Sequence, residues 1–193
     1  MNILVTGSKG FVGKNLCVAI RQQKQLTLYE YDLDNSQAEL HKALEVADII
    51  FHLAGINRPK DISEYQTGNA GFTKEICSLL QSLDRSPKIV FASSIQVELE
   101  NPYGASKLAA EKILQDYSKV TGSECIVYRL YNLFGKWCRP NYNAVTATFC
   151  YNIAHDLPLS ISDPTHVVEL TYIDDVIEAF IGEIECFFCT TIP

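Results

Sequence analysis

The sequence predicts an α/β fold, a doubly wound parallel sheet covered by helices on both faces. Three observations support it. Short apolar, β-rich runs alternate with segments patterned at helical spacing as far as Leu130. Glycines spaced G-x-x-G-x-x-G follow the first run directly and lead into the first helix. No repeat, low-complexity tract or charge block interrupts the alternation.

The elements follow in order. Ile3-Leu4-Val5 is a short buried strand, and Val12, Leu16, Ala19 and Ile20 give the next segment a helical stripe. Leu26 to Tyr31 and Ile49 to Phe51 are the second and third strands. A helix around 69–83 precedes the strand Ile89-Val90-Phe91. A long helix is marked by Ala110, Ile113, Leu114 and Tyr117, with Asn101 as N-cap and Pro102 at its first position. Cys125 to Leu130 is the fifth strand. Beyond Leu133 the pattern loosens: a helix over 144–154, a short strand over 167–170, and a last helix opening at Asp174-Asp175. Residues 184–193 (IECFFCTTIP) show no clear continuation.

Composition narrows the functional classes. A length of 193 residues suits one domain with a real core. No apolar run reaches the roughly 20 residues that cross a bilayer. The start, MNILVTGSKG, lacks the basic and apolar regions of a signal peptide, so a cytoplasmic location is expected. A net charge of −7 argues against a nucleic-acid partner, which needs a concentrated basic face. Most of the seven cysteines sit in apolar patterns where a thiol acts as a small hydrophobe. Cys186 and Cys189 form a single C-x-x-C with no second pair or nearby His, so no metal site is expected.

The segment Thr6 to Gly13 carries the first chemistry. Gly7, Gly10 and Gly13 let the backbone turn tightly and approach a pyrophosphate, whose oxygens meet the free N–H groups of the first helical turn. Phe11 and Val12 lie within that turn. The second strand ends Tyr29-Glu30-Tyr31-Asp32, where a carboxylate can accept hydrogen bonds from an adenosine ribose and repel a 2′-phosphate. A solvated loop acid is an equal reading of Asp32, so NAD(H) and NADP(H) both stay open.

Tyr103-Gly104-Ala105-Ser106-Lys107 carries the second. Residues i and i+4 share a helix face, so the Lys107 ammonium is expected beside the Tyr103 phenol, lowering its pKa toward neutrality. Such a hydroxyl exchanges a proton with a substrate oxygen while hydride moves at the carbon. Just upstream, the fourth strand runs into Ala92-Ser93-Ser94, at the sheet edge where open α/β folds bind ligands. Ser94 is the first choice to orient a reacting carbonyl and Ser93 the second.

TGSKGFVG (6–13), HLAG (52–55), ASS (92–94), YGASK (103–107), RLYNLFG (129–135) and YIDDV (172–176) occur in one order. That ordered set resembles the extended short-chain dehydrogenases of the NAD-dependent epimerase/dehydratase family, over nearly the whole chain. The resemblance implies a Rossmann-type sheet with Gly7, Gly10 and Gly13 on the pyrophosphate. It implies Leu53, Ala54, Gly55 and Leu130 along the cofactor, and Ser94, Tyr103 and Lys107 as a catalytic triad, with Lys107 also on the nicotinamide ribose. Asn132 falls where the family contacts a sugar nucleotide. The family often has an Arg before YIDDV, but Val167 to Leu170 stand there, leaving Arg58, Lys136 and Arg139 as alternative anion contacts.

HLAGINRP, SSIQ shortly before NPYGASK, and NLFGKWCRPNYNAVTATFCYNIA are similar to the family's capsular reductases of UDP-linked 2-acetamido-2,6-dideoxy-4-ketohexoses. Those enzymes use NADPH and carry a further C-terminal cupin domain. Dehydratases of the family have Thr-Asp-Glu where this chain has Ser94-Ile95-Gln96, and an amide cannot supply that acid–base chemistry. Ketone reduction is therefore expected, with a 4-epimerase or a non-catalytic dinucleotide-binding module as alternatives. The organisation expected is one NAD(P)-binding domain over 1–193, with a cofactor core at 1–133 and a partial, incomplete C-terminal substrate lobe at 134–193. The chain is expected to be a fragment or a truncated product. By the same resemblance a homodimer forms through the helices near 69–83 and 103–120.

Overall fold

The computed structural model describes residues 1–161 and 163–191. The chain packs as two compact units, Met1–Arg129 and the segment from Leu130 onward. The first holds a five-stranded sheet of β1 (Asn2–Thr6), β2 (Thr27–Tyr31), β3 (Ile49–His52), β4 (Lys88–Ser94) and β5 (Cys125–Leu130), ordered β2-β1-β3-β4-β5. The β1–β2, β1–β3 and β3–β4 pairs are parallel, which makes this the expected Rossmann-like sheet.

Register brings the strand ends together. Thr6 pairs with Tyr31 and with His52, and His52 with Phe91. Gly7, Asp32 and Leu53 therefore leave the sheet side by side at its carboxyl edge, level with Ala92 near the end of β4. The strand order reverses between β1 and β3, the place where such sheets open a crevice for ligand.

Helices cover both faces. Beneath one face Leu4, Ile50, Ile89 and Phe91 pack with residues of α2 (Gln37–Val46), α4 (Phe72–Ser82) and α5 (Pro102–Thr121), among them Leu40, Leu44, Ile76, Leu80, Ala110 and Leu114. Ile3, Val5, Ile49, Phe51 and Val90 alternate with these and are also buried, as are Leu16 and Ile20 of α1 (Phe11–Arg21). Burying each such side chain contributes roughly 1.5–3 kcal/mol before chain entropy is counted. The α5 helix starts as its sequence dictates: the Asn101 carboxamide accepts the Gly104 N–H at 2.8 Å, Pro102 needs no partner for a missing N–H, and Gly122 ends it at φ +74°.

Three details differ from expectation. Helix α2 was not anticipated because its polar residues blur the apolar stripe, yet Ser36 and Glu39 form a reciprocal capping box legible as S-x-x-E. The helix expected over 69–83 is broken: α3 (Ser63–Tyr65) passes through a π-helical turn, Gln66–Gly71, before α4. The strand expected over 167–170 lies at β7 (Leu170–Tyr172) and pairs with β6 (Asn132–Phe134), while Val167 stays exposed. In the second unit α6 is Val145–Ala154, and α7 (Ile173–Thr191) carries helix through most of the segment left unassigned. Cys186 is exposed, and the Cys189 side chain lies outside the described residues.

Candidate active site

The glycine turn is built by backbone. Gly7 and Ser8 donate their N–H groups to the Tyr31 carbonyl at 2.8 and 3.3 Å, tying the turn to the end of β2. Gly7 has φ +69°, and a Cβ there would lie 2.7 Å from the Ala54 nitrogen. A Cβ on Gly13 would lie 2.1 Å from the Gly7 carbonyl oxygen, so the first turn of α1 can sit against β1 only with glycine. The turn fits a dinucleotide pyrophosphate on two counts: among the described residues no side chain caps the N–H groups of α1 at Gly10, and the buried Ser8 hydroxyl has no partner. Phe11 and Val12 open that helix.

Asp32 closes one side of the turn. Its carboxylate accepts the Lys9 N–H at 2.7 Å and the Leu33 N–H at 2.8 Å. Lys9 itself pairs with Asp34. A carboxylate at this edge is placed to meet a ribose, and an ammonium beside it is placed to meet a 2′-phosphate, so both cofactors remain chemically open.

On the other side of Gly7 runs the Leu53-Ala54-Gly55 loop, held by a chain of hydrogen bonds with a fixed direction. The Ala54 N–H donates to Thr6 Oγ1 at 3.3 Å, and Thr6 Oγ1 donates to His52 Nδ1 at 2.8 Å. Thr73 spends its proton on the Asn69 carbonyl, so His52 Nε2 carries the proton it donates to Thr73 Oγ1 at 2.9 Å. Burial, helped by the Lys107 charge, pushes the His52 imidazole down to about 3. The folded state thus requires neutral His52. The stability this confers is complete above the ordinary value of 6.5 and is lost as pH falls from there toward about 3. Between pH 6.5 and 5 the parent is expected to lose about 2 kcal/mol more than His52→Asn in urea unfolding. Equal acid slopes for the two proteins would refute this.

The three candidates for the triad meet at the end of β4. Lys107 is buried and donates to the Ala92 carbonyl at 2.9 Å, with its ammonium 4.8 Å from the centre of the Phe91 ring. A Cβ on Gly55 would be 3.0 Å from Lys107 Nζ, so the loop that abuts Gly7 also abuts the ammonium. Ser94 lies close enough to the Tyr103 phenol to act on it, and the phenol ring lies 5.7 Å from that of Tyr65. Ser93, the second choice, points elsewhere and donates to Glu111 at 2.5 Å.

One electrostatic expectation is corrected. Burial, aided by Tyr65, raises the phenol above 10 against the pull of Ser94, and Lys107 does not enter the balance. Shared helix face does not bring the two groups into contact here, because the Lys107 side chain runs to the strand end. Burial also pulls Lys107 down to about 8, with Glu111 acting against it.

Arg58 is exposed in the loop after Gly55. Leu130 is the last residue of β5. In the second unit Asn132 donates to the Glu169 carbonyl at 3.2 Å, Arg139 stacks 5.4 Å from the Tyr142 ring, and Lys136 pairs with Asp174 at 2.6 Å. No cluster of metal-ligating side chains occurs among the described residues.

Sequence reasoning passed over His52, Asn69 and Glu111. Asn69 accepts the Ile56 N–H at 2.8 Å and donates to Ser106 at 2.8 Å, joining the cofactor-side loop to α5. Glu111 was visible as the next residue along the face shared by Tyr103 and Lys107.

The epimerase family model described as "NAD dependent epimerase/dehydratase family" matches residues 3–185. The chain belongs to the NAD dependent epimerase/dehydratase family. It is 42% identical, over 93% of its length and 48% of the relative's, to the UDP-2-acetamido-2,6-beta-L-arabino-hexul-4-ose reductase of Pseudomonas aeruginosa. A UDP-glucuronate 4-epimerase of Arabidopsis thaliana is 25% identical over 96% of this chain and 51% of that protein. Among solved structures, the capsular polysaccharide assembling protein CapF of Staphylococcus aureus superposes with a TM-score of 0.86 at 42% identity, covering 96% of this chain and 50% of that one. The chain thus spans about half the length of the curated relatives it matches.

Proposed function

We propose that this chain is the cofactor-binding half of an NAD(P)H-dependent oxidoreductase that reduces a 4-keto UDP-linked 2-acetamido-2,6-dideoxyhexose. The observation that carries the reading is the continuous path from Gly7 through Ala54 and Gly55 to Lys107, with Ser94 and Tyr103 at the same strand end. Gly7, Gly10 and Gly13, with Phe11, Val12, Asp32, Leu53, Ala54, Gly55 and Leu130, would hold NAD(H) or NADP(H), which supplies a hydride when bound. Ser94 orients the ketone oxygen by donating a hydrogen bond. Tyr103, protonated through neutral pH because burial raises its phenol, donates the proton that oxygen takes up. Lys107 would meet the nicotinamide ribose from the end of β4. Asn132, Arg58 and Arg139 are the proposed contacts to the nucleotide sugar.

Reduction is favoured over 4-epimerisation by the 42% identity to a reductase against 25% to an epimerase. The proposed setting is cytoplasmic synthesis of capsule or O-antigen sugars; no described helix is long and apolar enough to cross a membrane. The proposed organisation is a core at 1–133 with a partial substrate portion at 134–193. α4 and α5, which pack against each other, form the proposed homodimer face. The test mixes the full-length protein with the 4-keto UDP-sugar and follows nicotinamide absorbance, with sedimentation of the same sample. Oxidation of NADPH or NADH and twice the chain mass are expected. A folded protein that consumes neither reductant would overturn the activity, and a monomer mass the dimer.

A further inference from the structure

Three successive residues at the end of β4 are gripped by three successive turns of one face of α5. Ser94 meets Tyr103, the Ala92 carbonyl accepts from Lys107, and Ser93 donates to Glu111. The third grip has its own anchor. Arg129, on β5, donates from Nε to Glu111 Oε1 at 3.1 Å and from Nη2 to Oε2 at 2.8 Å, a two-pronged pair. Its third nitrogen reaches Glu98 at 3.5 Å. The Glu111 side chain is only 11% exposed, whereas Glu98 is 74% exposed. A carboxylate so enclosed, with an oxygen shared between a serine and a guanidinium, has one orientation.

We propose that Glu111 is the positioning residue for the Lys107 ammonium, with Arg129 the counter-charge that limits its pull. The proposal rests on the reading of Lys107 as a member of the triad and assigns the groups that govern it. The charged and titratable groups acting at Lys107 are Glu111, one turn along its own helix, and His52 on β3, which is neutral; Tyr103 shares the helix face without touching the ammonium. Glu111 in turn faces Arg129 from β5 and Ser93 from β4. Burial works to raise the Glu111 carboxyl, but Arg129 and Ser93 outweigh it, so Glu111 is ionised at neutral pH. Its negative charge therefore acts to keep Lys107 protonated in a site where burial favours the neutral amine.

The arrangement makes the two partners opposite in sign. Removing Glu111 takes away the negative charge that opposes burial, and the Lys107 ammonium weakens. Removing Arg129 frees the full charge of Glu111, and the ammonium strengthens. Structural damage from losing an ion pair would not produce opposite signs. The readout is the ionisation of Lys107 itself, followed by carbon NMR of lysine labelled at Cε, its signal assigned by loss in Lys107→Met. The parent midpoint is expected near 8. In Glu111→Gln the ammonium-to-amine ratio at that pH should fall by roughly threefold or more, and in Arg129→Gln it should rise by a similar factor. Midpoints that stay put, or move the same way in both, overturn the assignment. Should Glu111→Gln fail to fold, Arg129→Gln decides alone: an unmoved or lowered midpoint is refutation. The titration needs no substrate or turnover, so its failure is separate from failure of the proposed reduction.

Discussion

Tyr103→Phe is expected to lower kcat for ketone reduction by roughly 10²–10⁴-fold while leaving KM within a few-fold of the parent. The phenol is buried, packed against Tyr65 and close to Ser94, so the variant keeps the ring and loses only the proton donor. Removing a group that acts in the transition state but contributes little to ground-state binding changes kcat and kcat/KM together. Cofactor affinity, measured by quenching of protein fluorescence, should be unchanged, because the glycine turn and the 53–55 loop do not depend on the phenol oxygen. A variant whose kcat stays within tenfold would leave Tyr103 without the proton-donating role.

Where local rules were strong, the sequence was readable. The α5 start was legible because Asn101 and Pro102 act through their own backbone geometry. The strand runs were legible because a sheet buried on both faces demands unbroken apolar residues. The π-helical turn at 66–71 was not, since its residues, QTGNAG, carry almost no apolar side chain in which a shift of the stripe could be read. Nor was the His52 relay: its direction depends on Thr6, brought beside it by the parallel register, and on Thr73 and Asn69, a helical turn apart, brought by the packing of that helix on the sheet. The site showed the same division. Tyr103 and Lys107 announced themselves by spacing, but spacing reports only a shared face. That Lys107 turns toward the Ala92 carbonyl, and leaves the phenol governed by burial, is a consequence of where β4 ends.

The glycine turn separates into a packing position and a ligand position, and two alanine substitutions should divide them. Gly13→Ala drives a methyl to 2.1 Å from the Gly7 carbonyl and 2.8 Å from Ser8 Cα, both backbone atoms that cannot rotate away. Helix α1 must lift from β1, at a cost of about 1–3 kcal/mol, or about 2–4 °C in Tm for each kcal/mol in a chain of this size. Gly10→Ala differs. Its backbone, at φ −71° and ψ 174°, suits alanine, and the nearest atom to the new methyl is the Gly7 oxygen at 3.1 Å. Stability should therefore change little. The methyl would nonetheless occupy the space above the uncapped N–H groups of α1, where a pyrophosphate must approach the backbone. Dinucleotide affinity is expected to drop by about 100-fold, worth about 2.7 kcal/mol. Thermal unfolding and calorimetric titration with NADH and NADPH separate the two effects. Were Gly10→Ala to bind either nucleotide as tightly as the parent, the pyrophosphate could not lie over this turn, and the glycines would serve packing alone.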